Sequence, residues 1–150
     1  MSRSFEQILA ALAALKPQDF DYHTPGFDGN ERLHALTDEL MTLPQPERGI
    51  RALFDVMERL SGSDLGSPGP LVHTLERMRG SYESELIESV KRKPTFLSVW
   101  MVNRILNSIR EPGQRRAYIG LLRLAVEHPT ASKTAKLDAQ QFLKKQSGAA

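Results

Sequence analysis

The sequence predicts an all-α protein of about eight helices in antiparallel hairpins, arranged as a HEAT-like short α-solenoid or an orthogonal bundle. Three observations predict it. Apolar residues recur at i, i+3, i+4 and i+7 in segment after segment. No segment alternates with period two and β-branched enrichment, so no sheet is expected. Most of the breaks between helical segments are short, which brings consecutive helices back alongside one another. No internal repeat is visible, so the solenoid alternative rests on hairpin spacing alone.

The elements follow in order. Ser4 and Gln7 form a capping box, and Phe5, Ile8, Leu9 and Leu12 share the face of a first helix that Pro17 ends. Its "ILAALAAL" core is flanked by Glu6 and Lys16 and reads as an amphipathic helix rather than a signal segment. "KPQDFDYHTPGFDGN", Lys16 to Asn30, reads as a long loop, and long loops are often functional. Asn30 is the expected cap of a second helix, lined by Leu33, Leu36 and Leu40. Pro46 suits the first turn of a third, with Ile50, Leu53, Phe54, Met57 and Leu60 on one side. Ser67 is the expected cap of a fourth, with Pro68 at its first position and Leu71, Val72, Leu75 and Met78 as its apolar face.

Gly80 breaks the pattern, and Tyr82, Leu86, Ile87 and Val90 carry a fifth helix. Pro94 stops it, and Thr95 starts a sixth that should be buried almost all round. Pro112 and Gly113 are expected as a turn. Tyr118, Ile119, Leu121, Leu122 and Ala125 make a seventh helix, ended by His128 and Pro129. Ala135, Ala139, Phe142 and Leu143 make an eighth, followed by a frayed tail at 147–150.

The length of 150 residues suggests one helical domain over 1–150, large enough to bury a core without staples. There is no cysteine, which excludes disulfides and thiolate metal sites and fits a cytoplasmic location. No apolar run reaches 18 residues, so no membrane partner is expected. Charge is uneven. Residues 1–90 hold 8 Lys+Arg against 15 Asp+Glu, a net of −7, and residues 91–150 hold 12 against 3, a net of +9. Such asymmetry marks partner surfaces, or two solvated faces of one fold.

Candidate sites are few. Asp19, Asp21, Asp28, Glu31, Asp38 and Glu39 form an acidic group suited to a basic partner surface, with ordinary helix-start chemistry as the alternative. On the sixth helix Trp100 and Arg104 are hot-spot residue types, while Asn103 and Asn107 read as structural groups bonding loop carbonyls. His73 and Glu76 are i, i+3 on one helix, a spacing open to a base pair or a metal, but no third ligand accompanies them. They read as hydrogen-bonded helix surface. The basic residues Lys91 to Lys93, Arg110, Arg115, Arg116 and Arg123 could meet phosphates, yet no nucleic-acid-reading motif surrounds them. No P-loop, GxGxxG, GxSxG or cysteine nucleophile is present, so an enzyme, a cofactor and a metal are not expected.

"LGSPGPLVHTLE" (Leu65 to Glu76) and "YESELIESVKRKPTFLSVWMVNRILN" (Tyr82 to Asn107) resemble a group of small helical immunity proteins. These are encoded beside bacterial polymorphic toxins of the contact-dependent growth inhibition and Rhs types. The resemblance spans roughly Leu53 to Asn107. It implies a cytoplasmic, non-catalytic protein that binds and neutralises one cognate toxin domain. That domain is often a nuclease at the C-terminus of a large secreted protein. Carboxylates would then face a basic, phosphate-holding active site. A helical nucleic-acid binder using the basic C-terminal half, and a non-catalytic adaptor scaffold, are the alternatives.

Overall fold

A computed structural model describes residues 3–148, and among these it contains eight α-helices, two short 3₁₀ turns and no strand. The helices are α1 (Phe5–Ala14), α2 (Gly29–Met41), α3 (Ile50–Arg59), α4 (Gly69–Glu76), α5 (Glu83–Arg92), α6 (Phe96–Ser108), α7 (Pro112–Glu127) and α8 (Lys133–Gln146). The predicted apolar faces of α1–α4 are largely buried, while Phe5, Leu9, Ile87, Tyr118, Ile119, Phe142 and Leu143 of the predicted faces are half-buried. Ile8, Leu12, Leu33, Leu36, Leu40, Leu53, Phe54, Met57, Leu71, Val72 and Leu75 are all at or near zero exposure.

Packing divides the chain into two compact units, Met1–Glu85 and Leu86–Ala150, with α5 crossing the division. In the first unit α1 packs on α2 and α3 on α4, while α1 also meets α3 and α2 meets α4. That is the contact pattern of two stacked helical pairs. In the second unit α6, α7 and α8 each pack against the other two, a three-helix cluster. Three mutually packed helices can bury three apolar stripes against one another without a further layer.

Local chemistry explains most boundaries. Ser4 and Gln7 exchange the predicted capping-box bonds, at 3.2 and 2.9 Å. Thr95 and Ser98 form a second box at the start of α6. Pro46 opens a 3₁₀ turn, Pro46–Gly49, that runs straight into α3. The Arg59 guanidinium, near the end of α3, donates to the carbonyls of Leu12 and Leu15 at the end of α1. The Leu12 carbonyl also accepts the Leu15 N–H that closes α1, and the cation, bonded to this carbonyl and to that of Leu15, ties α3 to the end of α1.

Five expectations are corrected. The loop expected over Lys16 to Asn30 is shorter, because Pro17–Phe20 forms a 3₁₀ turn and α2 begins at Gly29. Asn30 does not cap α2. Its amide donates to the Asp64 carbonyl at 3.3 Å, and Asp28 holds the cap position. Ser67 does not cap α4, which starts at Gly69 after Pro68. Gly66 and Gly69 both take positive φ, and a Cβ on Gly66 would lie 2.3 Å from the Gly69 Cα. The chain doubles back there in a way only glycine allows, which delays the helix.

Pro112 and Gly113 are not a free turn but the first residues of α7, capped by Glu111, whose carboxylate accepts the Gly113 and Gln114 N–H groups. These bonds hold the Glu111 carboxyl below its ordinary range. Finally, α6 is not buried all round: Arg104, Asn107 and Ser108 are exposed, and Phe96, Trp100 and Ile105 are half-buried. Of the expected tail, Ala149 and Ala150 lie outside the described residues, while Ser147 closes α8 by bonding the Leu143 carbonyl.

Candidate functional site

The acidic residues of the first unit are divided by their partners. Asp19 and Asp28 both grip Arg32, at 2.7 and 3.0 Å. Asp19 also accepts the Lys16 N–H, and these bonds, the backbone one foremost, hold its carboxyl below the usual range. Glu39 pairs with Arg3. Three of the six sequence candidates are therefore already neutralised within the chain. Asp21, Glu31 and Asp38 are exposed, and among the described residues no Lys or Arg pairs with them. Glu31 and Asp38, seven residues apart, lie on one face of α2 about 10 Å apart along its axis.

Just before α2, the chain from Asp21 to Asp28 presents two large apolar side chains. Tyr22 is 74% exposed and Phe27 44%, whereas Phe20, just before them, is buried. Tyr22 lies against His23 with the rings tilted by 36° and their centroids 4.0 Å apart. Its ring borders a cleft of about 480 Å³ lined by Pro17, Gln18, Phe20, Asp21, Gly62, Ser63 and Asp64. Asp64 is a further carboxylate without a Lys or Arg partner among the described residues. An exposed tyrosine sharing a cleft with Asp21 and Asp64, neither paired with a Lys or Arg among the described residues, makes an anchor-and-rim arrangement suited to a protein partner. Tyr22, Phe27 and Asp64 were not picked out from the sequence. Aromatics in a Pro- and Gly-rich loop have no periodicity to report which of them is buried.

In the second unit, Phe96, Trp100 and Arg104 follow one another by four residues along α6. The Phe96 and Trp100 rings stack at 6.4 Å between centroids, and the Arg104 guanidinium lies 5.5 Å from the Trp100 ring centre. Asn103 and Asn107, expected to bond loop carbonyls, instead both accept from the Gln146 side-chain amide, at 2.8 and 2.7 Å. Arg115 completes this lock. Its guanidinium donates to the Leu106 and Ile109 carbonyls and to Gln146. One amide and one guanidinium thus hold the C-terminal ends of α6 and α8 to the start of α7.

His73 is exposed on α4 and Glu76 is half-buried one turn on. Among the described residues no group of three or more His, Asp or Glu side chains is placed to hold a metal ion. Nor is any helix among them long and apolar enough to cross a membrane. No protein-family model, no curated protein and no solved structure matches the chain.

Proposed function

We propose that this chain is an immunity protein that binds a cognate bacterial toxin domain, a nuclease, and blocks its active or substrate-binding site. The observation that carries the reading is the surface around Tyr22. The exposed Tyr22 lines one cleft with Asp21 and Asp64, and the exposed Phe27, Glu31 and Asp38 follow within the next sixteen residues of sequence; none of these four carboxylates has a Lys or Arg partner among the described residues. Nuclease substrate sites are basic because they hold phosphates, and carboxylates on an inhibitor answer that charge while aromatics supply buried contact area. The resemblance of residues 53–107 to immunity proteins points the same way. In this reading the protein is cytoplasmic and performs no catalysis, and Trp100 and Arg104 form a second contact point.

The test is co-purification and growth protection with the C-terminal domain of the protein encoded just upstream. Nanomolar binding and rescue of growth are expected. The charge reversals Asp21→Lys, Glu31→Lys and Asp38→Lys together should weaken binding at least tenfold without lowering the melting temperature. No binding and no rescue overturns the reading.

A second reading has one observation in its favour. The unit Leu86–Ala150 holds 12 Lys+Arg against 4 Asp+Glu, a net of +8, and carries the half-exposed Trp100 with Arg104 at its ring. An aromatic platform in a basic setting is how single-stranded nucleic acid is bound without sequence preference.

A further inference from the structure

We infer that the cleft beside Tyr22 is a pocket for one arginine side chain of the partner protein. This rests on the toxin-binding reading above and names the chemistry at its centre. The cleft has a flat aromatic wall, Tyr22, and an apolar base from Pro17 and Phe20. Asp21 and Asp64 line it from two segments far apart in sequence.

Each of these carboxylates has one oxygen tied to the backbone. Asp21 Oδ1 accepts the His23 N–H at 2.9 Å, and Asp64 Oδ1 accepts the Gly66 N–H at 3.0 Å. Those bonds fix the carboxylates in place. They leave the second oxygen of each, and neither residue has a Lys or Arg partner among the described residues. The neighbouring acids Asp19 and Asp28 differ, since Arg32 already spans them. That internal contact shows how a guanidinium answers two carboxylates in this segment. A planar cation carrying five donors can lie on the tyrosine face and reach both free oxygens. An ammonium cannot fork in that way, and an anion is repelled. Pro17 and Phe20 in its lining offer apolar surface to the stem of such a side chain.

The experiment uses the full chain, labelled with ¹⁵N, and two probes: acetyl-Gly-Arg-Gly-amide and the same peptide with citrulline, the neutral isostere, in place of arginine. The arginine peptide should produce saturable amide shifts confined to residues 18–22 and 62–64, and the citrulline peptide should not. Asp21→Asn and Asp64→Asn should each weaken the arginine peptide up to about fivefold, as expected for an exposed charge pair. Tyr22→Leu should weaken it by a similar factor. No saturable shift, shifts spread equally over Glu31 and Asp38, or equal response to citrulline overturns the inference.

Two further outcomes separate it from the toxin-binding reading. If the toxin domain binds the Asp21→Asn, Asp64→Asn double variant as tightly as the wild type, the pocket is overturned and toxin binding stands. If the arginine peptide binds in the cleft but the toxin domain does not bind the wild type, the pocket stands and its assignment to a toxin falls.

Discussion

Arg115 closes the ends of two helices with one side chain. Its guanidinium reaches the Leu106 and Ile109 carbonyls at 2.6 and 3.1 Å, and the Gln146 carbonyl at 3.2 Å. Carbonyls at a helix end have no partner inside the helix, and leaving them half-buried without one is costly. Arg115→Ala should therefore lower unfolding stability by about 2 kcal/mol in urea titration. Arg115→Lys should recover less than half of that, because an ammonium cannot span three acceptors set this far apart. A loss below about 0.5 kcal/mol would mean that water serves these carbonyls equally well. Asn103 and Asn107 belong to the same lock. The sequence marked them as structural, from two amides on one face of an apolar helix. It could not name Gln146, 43 and 39 residues away, as the donor.

At the scale of the element, the 3₁₀ turn Pro17–Phe20 is seated on the start of α2 by a missing side chain. A Cβ on Gly29 would lie 2.6 Å from the Asp19 carbonyl oxygen and 2.9 Å from the Phe20 ring. Gly49 is also crowded, but a Cβ there would meet the Leu40 side chain, its methyl groups at 2.8 and 2.9 Å, rather than backbone. Backbone cannot yield as a leucine can. Gly29→Ala should thus cost about 2–3 kcal/mol and Gly49→Ala about 1 kcal/mol. Comparison of their urea midpoints tests the order. Because that seat carries Asp21 and Tyr22, Gly29→Ala should also weaken partner binding, whereas Gly49→Ala should not. The reverse order of stabilities would mean that the turn is not held by α2.

For the whole molecule, charge separates the two functional readings. The unit Met1–Glu85 holds 8 Lys+Arg against 14 Asp+Glu, a net of −6, while the unit Leu86–Ala150 carries +8. The toxin-binding reading uses the acidic unit and expects association to slow as salt rises, with dissociation changed less. The nucleic-acid reading uses the basic unit. It expects retardation of single-stranded DNA or RNA that weakens steeply between 50 and 200 mM salt. Gel retardation across that range, with wild type and with Trp100→Ala and Arg104→Ala, decides between them. The toxin-binding reading expects no retarded band at 150 mM salt, and a Trp100-dependent band would move the function to the second unit.

The helices and their buried faces were legible in the sequence, because the 3.6-residue period of Ile50, Leu53, Phe54 and Met57, and of Leu71, Val72 and Leu75, is set by local geometry. So were the capping box at Ser4, whose partner Gln7 lies three residues away, and the start of α6 at Thr95. The acidity of the N-terminal region was equally plain. Only the tertiary structure decided which acids are already neutralised. Arg3 reaches Glu39 and Arg32 reaches Asp19 across distances in sequence that no local pattern encodes. The same holds for Tyr22 and Asp64, which meet at one cleft from segments some forty residues apart. Side-chain periodicity reports a helix's own faces, but which loop meets which is settled by how the helices pack.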